Sequence, residues 1–388
     1  MKASQAQPDF GSLAEQAAKS VVEAAFTSDF VFHRPKHLNG KELADLLVLF
    51  NDVAIVVQVK AEARVDSATP RARTRYDWAV KNLRKACAQT KGALRSLESD
   101  WVAPFTHPFM GDVTFSKQKY PNRYGLVVLD HICEPYEPYE HVSDIVDVPS
   151  RIQVLSLRDL WNLCRILDTP WDLVTYLECR ADKLLSPPPL VHQERPLFES
   201  YLASLEGIMG ARCLEAGRKY GESDFKTYAD GLRAIASGTC RDIRAGLVID
   251  HIITKLHDID WQTSTANAVP TSDERQHGVM YPKMAELLGS LARVRRIQWG
   301  RRFLNAAKNA SLSATGISYV TVRSANLNLC AVLACSNHSR YQRAERRQML
   351  INLSRQARQK YRLGRTLGVA TEPAGSMGSS YDFVYMEG

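Results

Sequence analysis

Three polar side chains interrupt an otherwise apolar stretch, ADLLVLFNDVAIVVQVKAE at positions 44–62: Asp45, Gln58 and Lys60. A carboxylate and an amide oxygen are hard donors of the kind that hold Mg²⁺ together with waters and a phosphate. A lysine ammonium beside them can orient a water or stabilise charge building on a phosphorus centre. A metal at that point can polarise a phosphodiester and activate the attacking water. The chemistry that suits all three residue types is therefore phosphodiester hydrolysis. A plainer use is an Asp–Lys ion pair at the end of a sheet.

Strand pairing is what brings them together. Asn51-Asp52 suits a two-residue turn between two apolar strands. With that turn Phe50 faces Val53, facing positions sum to 103, and Asp45 stands opposite Gln58. Lys60, two residues further on, shares the face of Gln58. Leu47, Leu49, Ala54 and Val56 continue that face, and Leu46, Val48, Phe50, Ile55, Val57 and Val59 form the other. Strands apolar on both faces are covered on both sides. An unpaired charge held there is costly, and a bound cation would relieve it.

Asp45 followed by Gln58-Val59-Lys60 resembles the motif of the PD-(D/E)XK nuclease superfamily: an acid at the start of one strand, then an acid or glutamine, any residue and lysine on the next. A helix before the hairpin and a helix with a basic face after it also resemble that family's element order. Within it, the chain is most similar to the branch of Mrr-type restriction endonucleases and archaeal Holliday-junction resolvases, over about residues 10–130. The resemblance implies a restriction-endonuclease-like fold, a metal-dependent endonuclease using Mg²⁺ or Mn²⁺, and a role in bacterial restriction or anti-phage defence. It also implies a glutamate on the first helix that completes the metal shell. Glu15 in GSLAE is the first candidate, Glu42 in KELAD the second and Glu23 the third. The implied metal ligands are Asp45, Gln58 and Glu15, and the implied catalytic set adds Lys60 and Glu42. The chain departs from the motif twice: Ala44 stands where the family's name has proline, and Gln58 replaces the usual acid, removing one negative charge.

Nucleic acid as partner is also suggested by charge. The chain carries +8 overall. Residues 291–370 hold 16 Lys and Arg against one acid, Glu345, a local +15 that leaves −7 for the rest. A basic module on a mildly acidic body suits a polyanion. On a helix expected over 76–97, Val80, Leu83, Ala86, Cys87, Thr90, Leu94 and Leu97 share one face, while Lys81, Arg84, Lys85, Lys91 and Arg95 share the opposite one. On a second helix expected over 339–363, Arg340, Arg343, Arg347, Arg355, Arg358 and Arg362 fall in one sector. Such a stripe can meet phosphates at several points. Neither face holds an evident base-reading motif, so recognition of backbone or shape is expected.

The remaining elements frame these two regions. YGLVVLD at 124–130 reads as a strand, with Asp130 and His131 as marginal site candidates, and EPYEPYE at 134–140 as a surface insert. Ser156 with Asp159, and Thr169-Pro170 with Asp172, read as helix starts. SPPPL at 186–190 cannot continue a helix and reads as a linker. A helical stretch over 191–310 and a ββαββ-like part over 315–388 follow, with Gly364 as the residue that ends the long helix. The expected architecture is an α/β domain at 1–185, a mixed sheet flanked by helices, and a basic, mostly helical α+β domain at 186–388.

Several other classes find no support. Asp250-His251 and His257-Asp258 superficially resemble metal-dependent phosphohydrolase pairs, but their apolar spacing suits an ordinary amphipathic helix. There is no GxxxxGK[ST] loop, no GxGxxG turn and no GxSxG elbow. Eight scattered cysteines without CxxC spacing suit a reduced, cytoplasmic chain. MKASQAQPDF has no apolar signal core, and no run of 18 apolar residues suggests a membrane span. The expected partners are nucleic acid, DNA ahead of RNA, with room for self-association and for a partner protein supplying any NTP-driven step. The rival expectation is a nuclease-fold protein that has lost catalysis and serves in binding or as a scaffold. Gln58 is what keeps that rival alive.

Overall fold

The computed structural model describes residues 9–62, 72–107, 111–130, 151–181, 194–215, 222–241, 243–258, 283–313, 316–324, 327–336, 343–371 and 381–387. Asp9 starts the first helix, α1 (Phe10–Phe26), by accepting from the Gly11 and Ser12 N–H groups at 3.1 and 3.3 Å. This satisfies amides that the helix itself leaves unpaired. Ala14, Ala18, Val22 and Ala25 recur at helical spacing and form its buried stripe, extended by Phe26.

Strands β1 (Val31–His33), β2 (Leu46–Phe50) and β3 (Val53–Ala61) follow. The β2–β3 register runs from Leu46 opposite Val57 to Phe50 opposite Val53, the pairing that a turn at Asn51-Asp52 dictates. Asn51 has φ +51°, the conformation such a turn requires and Asn tolerates. Every residue of β2 is buried, as is β3 up to Val59. Helix α2 (Ala72–Glu98) places Ala93 and Leu97 on the face of Leu47, Leu49, Ala54 and Val56. Phe26 of α1 meets Phe50 edge-on with ring centroids 6.4 Å apart. The hairpin is thus covered on both faces.

A two-stranded pair, β4 (Phe105–His107) and β5 (Gly111–Val113), precedes β6 (Asn122–Asp130) and β7 (Ile152–Ser156). The main sheet has the order β1-β2-β3-β6-β7, antiparallel across β1-β2-β3 and parallel across β3-β6-β7. Helix α2 supplies the crossover between parallel β3 and β6. It passes so close to β6 that a Cβ on Gly125 would lie 2.2 Å from Thr90 Cγ2. Helices α3 (Leu157–Ile166) and α4 (Pro170–Ala181) start where Ser156 and Thr169 accept from the N–H groups of Asp159 and Asp172. Behind them Arg180 pairs with Glu194 at 3.0 Å, both buried, and binds the Gln153 amide oxygen of β7. This ties the start of α5 (Glu194–Glu215) to the sheet.

Contact density divides the chain into two units, Met1–Ile208 and Met209–Gly388, with the division inside α5. The second unit holds α6 (Glu222–Ala236), α7 (Ile243–Asp258), a short helix α8 over 283–289 and α9 (Arg293–Leu312). Gly300 lets α9 cross α7 closely: an added Cβ would sit 1.8 Å from the Ala245 carbonyl oxygen. Then come β8 (Ile317–Ser324), β9 (Leu329–Ser336), α10 (Arg343–Tyr361), β10 (Arg365–Thr371) and β11 (Tyr381–Glu387). Their sheet has the order β11-β10-β9-β8, with β9 and β10 parallel on either side of the α10 crossover. In chain order these elements run strand, strand, helix, strand, strand. The chain is therefore α/β, a mixed five-stranded sheet flanked by helices with a smaller sheet in the second unit.

One expectation about helix ends changes. The left-handed residue after α10 is Arg362, at φ +52°, and not Gly364. Gly364 has another function: its N–H donates to Asn328 Oδ1 at 3.0 Å, and a Cβ there would come within 2.5 Å of the Asn328 side chain. EPYEPYE, His131, SPPPL and Arg340 lie outside the described residues, as do the side chains of Arg343, His257 and Asp258.

Candidate active site at the end of the five-stranded sheet

The β2–β3 ladder begins at Leu46, so Asp45 lies one residue outside it. Its position opposite Gln58 is kept in register, but the carboxylate turns along the sheet and accepts from the Val59 N–H. Asp45 is 5% exposed and Gln58 4%. The Gln58 side chain forms no hydrogen bond with any described residue. Lys60, part-buried, donates from Nζ to the Val59 carbonyl oxygen at 3.0 Å and lies close enough to Asp45 to favour its ionised form.

Two more acids reach this point from different elements. Glu15 comes from the first half of α1, and Glu42 from the connection between β1 and β2; both act electrostatically on Asp45. Burial pushes the Asp45 carboxyl up to about 6, and the two glutamates add to the rise. The Val59 hydrogen bond and the Lys60 ammonium oppose it and lose. The expected residues Asp45, Gln58, Lys60, Glu15 and Glu42 thus gather at one sheet end. Glu23, also on α1, pairs instead with Lys19 at 3.3 Å. Asp130 ends β6 beside Ala61, at the same end of the parallel strands as Lys60.

Arg34, a residue the motif does not contain, completes the cluster. It follows β1 with φ +48°, unusual for a side chain with a Cβ. Its Nε and Nη2 both donate to Glu15 Oε2, at 3.1 and 2.6 Å, and Nε lies 3.8 Å from Glu42. Glu15 in turn holds the guanidinium more firmly protonated than usual. No sequence spacing marks Arg34; a basic residue directly after a strand that pairs with β2 is the only hint. Among the described residues no group of three or more His, Cys, Asp and Glu converges closely enough to enclose a metal. The oxygen donors present, a buried carboxylate, an amide and two glutamates shared with Arg34, are of the hard type that suits Mg²⁺ or Mn²⁺.

The expected nucleic-acid contacts fall in two places. On α2, Lys81, Arg84 and Lys85 are exposed, opposite a face on which Val80, Leu83, Ala86, Cys87, Thr90 and Leu97 are buried. On α10, Arg347 and Arg358 are half-buried and Arg355 is exposed, as is Arg362 just past its end. Arg346, which the expected stripe omitted, is fully buried and pairs with Asp382 of β11.

Other titratable groups have structural partners. Asp250 pairs with Arg296, and His251 meets Tyr381 edge-on, inside an ordinary amphipathic helix. Cys87, Cys164, Cys179, Cys240, Cys330 and Cys335 are free thiols. Burial raises Cys87 and Cys330 to about 11 and Cys164 to about 12, which makes them poor nucleophiles. No helix among the described residues is long and apolar enough to cross a membrane. Comparison of the chain with protein-family models, with curated proteins and with solved structures found no match.

Proposed function

We propose that the sheet end holding Asp45, Gln58 and Lys60 is the active centre of a metal-dependent nuclease of the restriction-endonuclease-like PD-(D/E)XK type, acting on DNA ahead of RNA. One observation carries this reading. A nearly sealed Asp45, with its carboxyl raised to about 6, is met by Lys60, Glu15 and Glu42 from separate elements. Perturbed carboxyls where several charged groups converge are a mark of functional sites.

The residues divide the work as follows. Asp45 and the Gln58 amide oxygen would hold the ion, with Glu15 or Glu42 completing the shell. When bound, Mg²⁺ or Mn²⁺ supplies Lewis-acid polarisation of the phosphodiester and a more acidic water. The Val59 N–H keeps the Asp45 carboxylate pointed along the sheet end. Lys60 brings a positive charge to the developing phosphorane. Arg34 balances the glutamates and can turn to a substrate phosphate, which guanidinium binds well. The exposed Lys81, Arg84 and Lys85 of α2 lead the backbone toward this end. A bacterial defence role, a cytoplasmic location, self-association and a partner supplying NTP-driven steps belong to the same reading.

A catalytically silent, nucleic-acid-binding or scaffold protein is the second reading, and Arg34 favours it. Its guanidinium already takes up Glu15 and approaches Glu42, so part of the acid cluster is neutralised from within. The deciding assay incubates plasmid and linear DNA, and RNA, with the protein and Mg²⁺ or Mn²⁺, alongside Asp45→Ala and Lys60→Ala. The nuclease reading expects metal-dependent cleavage that falls at least about 1,000-fold in both variants. Binding without cleavage of any substrate selects the second reading.

A further inference from the structure

A cleft of about 520 Å³ opens in the second unit where α10 ends. Arg355, Arg358 and Arg362 line it, together with Gln359 and an apolar floor of Leu363 and Met386. No acid lines it. Arg355 and Arg362 form no ion pair or side-chain hydrogen bond with any described residue. From this geometry we infer that the cleft is a binding site for the phosphodiester backbone of a single nucleic-acid strand, with one nucleotide seated on the Leu363–Met386 floor.

Arg355 and Arg362, gathered at one opening beside Arg358, repel one another, and an anion of matching extent removes that cost. Arg355 and Arg358, at i and i+3, lie along one side of α10, and Arg362 follows its last residue, Tyr361, in the left-handed conformation. From Arg355 to Tyr361 the helix rises about 9 Å, between two and three nucleotide steps at about 3.4 Å per nucleotide along a strand. Cations in a last helical turn are also favoured by the helix's own negative end. That accounts for Arg358 and Arg362 near the C-terminus but not for Arg355, more than a turn from it, nor for an open cleft between them. The cleft's volume lies within the range of small-ligand sites. The apolar floor distinguishes it from a general basic surface, because a base or sugar edge can cover Leu363 and Met386 while the phosphates meet the arginines. The inference takes from the proposed function only that the partner is nucleic acid. It needs none of the chemistry at Asp45.

The test uses the full chain in EDTA, so that cleavage plays no part, and a fluorescein-labelled single-stranded oligonucleotide of mixed sequence followed by anisotropy. Arg355→Ala/Arg362→Ala is expected to weaken binding about 10-fold or more and to reduce the slope of log affinity against log salt by about 1.4, two phosphate contacts on a single strand. Arg302→Ala/Lys308→Ala, which removes the same charge from exposed positions on α9, is expected to leave affinity within about twofold. Met386→Glu, which places a carboxylate on the floor, is expected to weaken binding as the arginine variant does. The inference is overturned if the wild-type chain does not bind the strand, if the cleft variant binds as well as wild type, or if the α9 control loses as much affinity. Absence of metal-dependent cleavage by the wild-type chain, with strand binding intact, would sink the nuclease reading and leave this site standing, so the two proposals fail separately.

Discussion

Asp45 in the first unit and Asp382 in the second are almost equally sealed from solvent, at 5% and 3% exposed, yet their surroundings differ. Asp382 meets Arg346, itself fully buried, in a direct ion pair between β11 and α10. Asp45 has a backbone N–H, a lysine that bonds elsewhere and two further acids. A buried charge with a buried partner serves the fold. A buried charge whose nearest partners are incomplete is one that a cation from outside would relieve, which is the use proposed for Asp45. The contrast makes opposite predictions for removing charge at the two places.

The largest effect belongs to the matched pair. Arg346→Met strands Asp382 in the core and is expected to cost about 3–5 kcal/mol, read as a lower urea midpoint. Arg346→Met/Asp382→Leu is expected to recover most of that loss, because two apolar groups need no partner. If the single variant unfolds at the wild-type midpoint, the pair is not what holds α10 to β11 and the contrast fails.

Asp45→Asn is expected to act in the opposite direction. The folded carboxyl titrates at about 6, above the ordinary 3.8, so folding favours its neutral form. The associated stability is fully present below pH 3.8 and is lost as pH rises through 6. Above that, ionised Asp45 weakens the fold by on the order of 3 kcal/mol, which the asparagine variant escapes while still accepting from Val59. Metal-free unfolding at pH 7.5 should therefore show a more stable variant, with the gain nearly gone at pH 4. A variant less stable than wild type at both pH values would mean that Asp45 is structural, as Asp382 is.

The sequence revealed one side of this contrast far better than the other. Asp45, Gln58 and Lys60 could be brought together because a two-residue turn at Asn51 fixes the register and alternation does the rest. The buried and basic faces of α2 follow from a 3.6-residue period sustained over several turns. The unbroken apolar runs Leu46–Phe50 of β2 and Val53–Val57 of β3 announced a covered sheet. By contrast, β1 has three residues, and β7 runs straight into α3 with Ser156 as both last strand residue and helix cap, so neither shows a strand pattern. Arg346 was invisible because its partner lies 36 residues away, and a buried arginine looks in sequence like one more member of a basic helix. Arg34 was invisible for the same reason, since only the fold brings it to Glu15.

Titration sharpens the contrast further. If Asp45 takes up an external cation, that cation competes with its proton. Apparent Mn²⁺ affinity, measured by calorimetry, is then expected to be nearly flat above pH 7 and to fall about 10-fold per pH unit well below 6, one proton being displaced per ion. Affinity independent of pH between 4 and 7 would place the ion away from Asp45.

The smallest effect on the fold, and the most direct attempt to break the contrast, is at Arg34. Its side chain is 47% exposed, whereas Arg346 is sealed, although both are bonded to a carboxylate. If Arg34 were a structural partner like Arg346, Arg34→Gln would lower the melting temperature markedly. An exposed pair is worth little to stability because water screens it and the long side chain gives up rotamer freedom to hold it. Arg34 also competes with any external cation for Glu15 and Glu42. Arg34→Gln is therefore expected to leave the melting temperature unchanged within a few degrees and to tighten Mn²⁺ binding several-fold, because the glutamates lose their internal counter-charge. Unchanged stability with unchanged metal affinity would remove Glu15 and Glu42 from the shell and leave Asp45 and Gln58 to hold the ion alone. A large loss of stability would instead make Arg34 the first unit's counterpart of Arg346, and the sheet end a closed ion-pair network with no vacancy for a metal.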